Sequence, residues 1–198
     1  MRSPTLRRSS GIKRPFKLEE IWRIRTRLEI ENDLMQLALL NLAIDSKLRA
    51  SDLLKLNVYD VSSQGTIYER VQCVQQKTGT DVHYEITPKT QQSLSRWIYA
   101  ASLEANSFLF PSGRREEQSI SYSYYRSIIR SWAVKLGLNA DYYGTHSMRR
   151  TKATLIYAKT KNIRAVQLLL GHSKLDNTIR YLGVELEDAL RLSEQTDC

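Results

Sequence analysis

The stretch Thr66–Ile86, TIYERVQCVQQKTGTDVHYEI, decides the fold class. Its first part, Thr66 to Gln76, is rich in β-branched and aromatic residues, and Lys77-Thr78-Gly79-Thr80 has the composition of a turn. Val82, Tyr84 and Ile86 then alternate with polar His83 and Glu85. Period-two patterning on both sides of a glycine-bearing turn predicts an antiparallel β-hairpin. No second stretch of the chain shows this period, so the hairpin is the only sheet expected.

Outward from the hairpin the pattern is helical. Upstream, Phe16 to Ile44 carries two apolar faces, Leu18/Ile21/Trp22/Ile24 and Leu34/Leu37/Ala38/Leu40, which predict two helices with Asn32 as a candidate cap between them. Ser46-Lys47-Leu48 reads as a turn, followed by a short amphipathic helix over Arg49–Leu56. Downstream, Thr87-Pro88 supplies an N-cap and a first-turn proline for a helix reaching about Leu103. Phe108–Gly113 reads as a loop, Tyr122–Leu136 as a helix stopped by Gly137, and Thr145–Ala158 as another helix. Ile163–Leu170 and Leu175–Tyr181 follow with Gly171 between them, and Glu185–Leu192 is a short amphipathic segment. The expected fold is mainly α with a small antiparallel β-sheet (α+β).

At 198 residues, 41% of them hydrophobic, the chain is long enough for one compact core and short for two. The expected organisation is a basic arm over residues 1–14, a single domain over 15–183 and an acidic tail over 184–198. The formal net charge of +9 favours a polyanionic partner. Arg2, Arg7, Arg8, Lys13 and Arg14 concentrate it in the arm, among serine, proline and glycine and with no acid, as in segments that track DNA phosphates. The last fourteen residues hold five acids and one arginine, which turns that end away from DNA. No apolar run approaches the ~20 residues of a membrane span, and no apolar stretch marks a secretory signal, so a cytoplasmic, nucleoid-associated location is expected. Cys73 and Cys198 stand apart and near no histidine pair, so neither a disulfide framework nor a metal site is expected.

Breaking a phosphodiester with a side-chain nucleophile needs a hydroxyl, cations on the non-bridging oxygens and a proton donor for the leaving oxygen. His146-Ser147-Met148-Arg149 puts an imidazole and a guanidinium at i and i+3, on one helix face. Arg49 and Asp52 repeat that spacing, with the carboxylate able to orient the arginine. Lys77 sits at the hairpin tip beside Gly79, where it forms a mobile cation. Leu169-Leu170-Gly171-His172 adds a second histidine, 23 residues after Arg149, and Tyr181 follows nine residues later. Each pair alone is common: an exposed Arg–Asp pair is usually a solvated contact, and a half-buried tyrosine is usually packing.

Taken in order, Leu48-Arg49-Ala50-Ser51-Asp52-Leu53, Lys77, His146-x-x-Arg149, Leu170-Gly171-His172 and Tyr181 resemble the tyrosine recombinase (phage integrase) family. That family carries an arginine within "LR-x-S-[ED]-L", a hairpin lysine, "H-x-x-R", an "LGH" break and a terminal tyrosine. Ser46-Lys47 replaces the small or glycine residues common before the first arginine, and Met148 stands where leucine is usual. The resemblance implies a site-specific DNA recombinase in which Tyr181 forms a 3′-phosphotyrosine. Arg49, Arg149 and His172 would hold the phosphate, His146 would take the nucleophile's proton, Lys77 would protonate the leaving 5′-oxygen and Asp52 would support Arg49. It implies no metal or nucleotide cofactor. The partners would be double-stranded DNA at specific sites, further copies of the chain in a tetrameric synapse, and accessory DNA-bending proteins.

Only residues 1–48 precede Arg49, which leaves no room for the family's N-terminal core-binding domain. A short recombinase and the catalytic fragment of a longer integrase are both consistent with this. A type IB topoisomerase uses the same residue types, and a non-catalytic DNA-binding relative would have lost some of them. Target sequence and direction of exchange are not encoded in these motifs.

Overall fold

The computed structural model describes residues 13–113, 115–182 and 194. The predicted arm residues Arg2, Arg7 and Arg8 and the amphipathic segment Glu185–Leu192 lie outside the described residues. Helices α1 (Leu18–Ile30) and α2 (Leu34–Ser46) open the chain, followed by a four-residue α3 (Ala50–Leu53) and a 3-10 turn at Val58–Asp60. Strands β1 (Ser62–Ser63), β2 (Thr66–Ile67), β3 (Arg70–Val74) and β4 (Asp81–Glu85) come next, then α4 (Pro88–Ala100), β5 (Pro111–Ser112) and β6 (Arg115–Ser119). The remainder is α5 (Tyr122–Lys135), a 3-10 turn at Ala140–Tyr142, α6 (Thr145–Thr160), α7 (Ile163–Leu170) and α8 (Leu175–Leu182).

The centre of the domain is α2. From Leu37 to Ser46 every residue is buried, as expected of a helix that is apolar all round. It is covered by α1, α4, α6 and β4. The amphipathic helices bury one face each: Ile21, Ile24 and Leu28 of α1, and Tyr125, Ile128, Ile129, Trp132 and Ala133 of α5. The Trp132 indole N–H reaches Gln36 Oε1 at 2.7 Å and ties α5 to α2. A second, smaller apolar cluster of Ala153, Val166 and Leu170 joins α6 and α7 and carries Tyr181 and Leu182 of α8 at its edge.

The predicted hairpin forms as β3–β4, antiparallel, with Val71 opposite Tyr84 and Cys73 opposite Val82. Two further antiparallel ladders, β1–β2 and β5–β6, correct the expectation of a single sheet. Their strands are mostly two residues long, too short to show a period. Three helical assignments also change. Asp33, not Asn32, caps α2 by accepting from the Gln36 amide at 3.0 Å, while Asn32 takes a left-handed φ of 51° between the helices. Arg49 is the N-cap of α3 rather than a helical residue, with extended φ/ψ. And α4 stops at Ala100 because Ser102 turns left-handed.

The predicted arm does not extend to residue 14. Lys13 donates to the Asp141 carbonyl at 2.6 Å, the Arg14 amide donates to the Tyr142 carbonyl at 2.9 Å, and the Arg14 guanidinium lies 4.4 Å from the centre of the Tyr142 ring. Phe16 is buried and stacks on Tyr143. Its amide donates to Thr151 Oγ1 at 3.0 Å, so this segment braces α6.

Beneath α2 lies a charge cluster with no counterpart among the sequence expectations. Lys152 bridges Asp45 Oδ1 (2.7 Å) and Glu85. Lys47 reaches Glu85 at 3.4 Å and the Asp45 carbonyl. Asp45 Oδ2 also accepts from the Thr87 amide and from the Thr87 and Thr90 hydroxyls at 2.9, 2.7 and 2.6 Å. Thr87 thus occupies the expected N-cap position of α4 but spends its hydroxyl on Asp45. Two cations and two carboxylates balance, and the partners hold both carboxyls below their usual pKa despite the opposing effect of burial.

Removing one partner leaves a buried charge uncompensated, so Lys152→Met is expected to lower the unfolding free energy by about 3 kcal/mol at pH 7. The stabilisation from depressed carboxyls is fully present above the ordinary carboxylate pKa and is lost as pH falls through the folded-state values. The deficit of Lys152→Met relative to the natural chain should therefore shrink on acidification, as denaturant titrations at pH 7 and in the acid range would measure.

Candidate active site

The site is organised around Arg149, on the second turn of α6 and only 3% exposed. Its guanidinium donates to two backbone carbonyls, Lys47 O at 2.8 Å and Leu170 O at 2.6 Å. Lys47 is the C-cap of α2 and Leu170 the last residue of α7. Carbonyls at helix C-termini lack intrahelical partners and carry the negative end of the helix dipole, so they suit a buried cation. Both chain segments reach this geometry through a left-handed residue, Lys47 (φ 55°) and Gly171 (φ 63°). At Gly171 the constraint is also steric, because a Cβ there would stand 2.5 Å from Val82 Cγ1 and 3.1 Å from Gln75 Nε2.

Arg49 comes from the turn between α2 and α3, and its Nη1 donates to Gln75 Oε1. His146, one turn before Arg149, is exposed at the mouth of the site. Arg49, His146 and Arg149 line one pocket of about 170 Å³ together with Ala50, Ser51, Tyr122 and Thr145. The Tyr122 and Thr145 hydroxyls are 3.1 Å apart across it. Burial lowers the His146 pKa, and Arg149, Arg150, Arg49 and Lys77 lower it further. Lys77 stands exposed on the β3–β4 turn, as predicted.

His172 follows Gly171, with Nδ1 3.1 Å from Thr178 Oγ1 and its ring edge-on to Tyr181 at 5.4 Å. Burial, and then Arg149 and Arg49, push its pKa down to about 4. The Tyr181 hydroxyl is buried and has no hydrogen-bond partner among the described residues. Burial raises its pKa, opposed by the fields of Arg149, Arg150 and Arg49. Arg150 places its guanidinium 5.2 Å from the centre of the Tyr181 ring.

Five of the sequence-predicted residues, Arg49, His146, Arg149, His172 and Tyr181, therefore gather around one positively charged centre, with Lys77 contributing to the field at His146. Asp52 behaves differently from expectation. Its Oδ1 accepts from the Gln76 amide at 3.2 Å, and it is Gln75, not Asp52, that receives Arg49. Once Arg49 leaves the helix for its N-cap, the i, i+3 relation to Asp52 no longer holds. Gln75, Tyr122 and Arg150 were not singled out from the sequence. For Gln75 a signal existed: Val71, Cys73 and Gln75 share one face of the strand, and a polar residue on the inward face of a strand needs partners. Cys73 is half-buried with its thiol pushed up to about 11 by burial and nearby carboxylates, which leaves it unreactive at neutral pH.

Known proteins resemble this chain in sequence and in fold. The phage integrase family model matches residues 15–187. The probable integrase/recombinase YoeC of Bacillus subtilis is 32% identical over 148 residues, covering 75% of this chain and 76% of that protein. The tyrosine recombinase XerD of Yersinia pestis is 28% identical over 85% of this chain, which spans 56% of its length. Among solved structures, the XerA recombinase superposes with a TM-score of 0.73 at 21% identity over 91% of this chain and 64% of its own. The XerH site-specific recombinase bound to palindromic difH substrate gives 0.71 at 17% identity, over 92% of this chain and 53% of its own.

A histidine whose folded pKa is depressed resists protonation. His172 is therefore expected to stay neutral through the range where an ordinary histidine titrates, near 6.5, and to take its proton with a midpoint near pH 4. Imidazole proton shifts followed by NMR in the DNA-free protein would measure this, and a midpoint above 6 would contradict the described environment.

Proposed function

We propose that this chain, which belongs to the phage integrase family, is a site-specific recombinase that breaks and rejoins DNA through a 3′-phosphotyrosine at Tyr181. The observation that carries the proposal is the convergence of Arg49, Arg149 and His146 on one pocket, with the Tyr181 hydroxyl in the field of the same arginines. A set of cations in a partly buried pocket whose lining holds no carboxylate matches a scissile phosphate and the extra negative charge of its transition state.

In this reading a DNA phosphate enters between Arg49 and Arg149. Tyr181 attacks phosphorus, the P–O5′ bond breaks, and the bond energy is kept as a phosphotyrosine ester that a second 5′-hydroxyl can reverse. The nucleophile must lose its proton, and its buried hydroxyl holds that proton firmly in the DNA-free protein. His146, whose pKa is lowered first by burial and then by the cations around it, is the acceptor. His172 is neutral as well, so its ring presents an N–H to a phosphoryl oxygen at neutral pH. Lys77, exposed on its turn, delivers a proton to the leaving 5′-oxygen.

Double-stranded DNA at specific sites is the proposed substrate, with copies of the chain assembling as a tetrameric synapse in the cytoplasm and bending proteins assisting. The solved XerH site-specific recombinase is bound to difH substrate and the Tn1549 transposon integrase to transposon right end DNA, which supports a DNA partner here. Among the described residues, no helix is long and apolar enough to cross a membrane.

Incubated with labelled DNA from the flanks of its gene in the presence of EDTA, the protein is expected to form a covalent protein–DNA adduct. Tyr181→Phe should retain DNA affinity and form none; adducts from that variant would exclude Tyr181 as the nucleophile. Lys77→Ala should slow cleavage by about 10²–10⁴-fold, the range of general acid catalysis. A substrate with sulfur at the 5′-bridging position should restore most of that loss, because a thiolate leaves without a proton. Equal defects on both substrates would take the acid role from Lys77.

A further inference from the structure

Gln75 is 1% exposed, and its amide is shared among the elements that build the site. Oε1 accepts from Arg49 Nη1 and from the Thr78 hydroxyl at 3.3 Å. Nε2 donates to Leu170 O at 3.2 Å, the carbonyl that also receives Arg149 Nη2. The orientation of the amide follows from the chemistry, since a guanidinium only donates and a carbonyl only accepts. The backbone of Gln75 closes the turn that carries Lys77: its amide donates to Thr80 O at 2.9 Å, and its carbonyl accepts from Gly79 N at 2.8 Å. Its side chain also lies against Gly171, where a methyl group would crowd Nε2.

We propose that Gln75 is a positioning residue, fixing Arg49 against the carbonyl that seats Arg149 and locking both to the turn that bears Lys77. The two guanidiniums repel, each lying in the other's field, so neither would hold its place through the other. A neutral side chain that accepts at one atom and donates at the next supplies what the gap between them requires. Glutamate would set a carboxylate against the Leu170 carbonyl, methionine would offer neither function, and asparagine is one methylene short. The role rests on the recombinase reading for its catalytic meaning, but the ordering of Arg49 is a property of the DNA-free protein.

The test pairs a structural and a kinetic readout on the full chain. In ¹⁵N-arginine NMR spectra, the Arg49 guanidinium, assigned with Arg49→Lys, should show restricted rotation in the natural protein and lose it in Gln75→Met, while Arg149 keeps its contact with Lys47 O. An Arg49 equally mobile in both proteins overturns the proposal whether or not the chain acts on DNA. Failure of the natural chain to form adducts on any flanking-DNA duplex would overturn the recombinase reading instead, leaving the NMR result to decide Gln75. Where adducts form, single-turnover rates complete a double-mutant cycle. Gln75→Met should slow adduct formation about 10- to 100-fold, the usual effect of losing a partner behind a catalytic group, with DNA affinity unchanged. In an Arg49→Lys background the same change should slow it by less than about threefold, because the residue acts through Arg49. An equal factor in both backgrounds marks a merely structural role and overturns the proposal. Should Gln75→Met fail to fold, Gln75→Asn, whose amide is one methylene short of Arg49, enters the same cycle and the same spectra with the same expected outcomes.

Discussion

Everything in this molecule that bears on chemistry depends on one buried guanidinium held by two helix ends. Arg149 donates to the C-cap carbonyl of α2 and to the last carbonyl of α7. These are groups a folded chain must satisfy somewhere, because buried helix-terminal carbonyls have no partner within their own helix. Placing a cation on them settles the helix ends and the arginine together. The arrangement also explains the two left-handed residues, Lys47 and Gly171: each ends its helix so that the carbonyl before or at the turn faces inward. Gly171 cannot acquire a side chain there, since Val82 and Gln75 fill the space. Lys47 can, and its aliphatic stem is buried with its ammonium delivered to Glu85.

That lysine connects the catalytic centre to the stability of the domain. Its carbonyl holds Arg149 and its side chain belongs to the Asp45–Lys152–Glu85 cluster, which joins α2, β4, the N-terminus of α4 and α6. Lys152 is three residues beyond Arg149, so the same helix delivers one cation to the structural cluster and one to the pocket. The structural cluster is charge-balanced. The pocket is not: Arg49, His146 and Arg149 line it with no carboxylate among the lining residues, and Asp52 reaches Arg149 only through its field. Burial first, and the surrounding cations second, depress the pKa of His146 and His172, and the cationic share is the part of the electrostatics that a phosphate would relieve.

Tyr181 sits on α8, against a small apolar cluster formed by α6 and α7 rather than the main core. Its hydroxyl is buried in the field of Arg149, Arg150 and Arg49.

What the sequence determined by itself was the local structure and the chemical inventory. The alternation of Val82, Tyr84 and Ile86 fixed a strand, the faces of α1 and α5 fixed helices, and the i, i+3 spacing of His146 and Arg149 put both on one helix face, because such features depend on neighbours within a turn or two. The order of Arg49, Lys77, His146, Arg149, His172 and Tyr181 carried the family. What the sequence left open was every partnership across the chain. Arg49 is bonded 26 residues away to Gln75, and Arg149 is bonded 102 residues away to Lys47. The displacement of Asp52 from Arg49, the left-handed turn at Lys47, the buried charge cluster and the two shortest ladders belong to the same class. Such contacts are chosen by the packing of the whole core around α2, which decides what lies opposite a given side chain, and no local period or propensity encodes that choice.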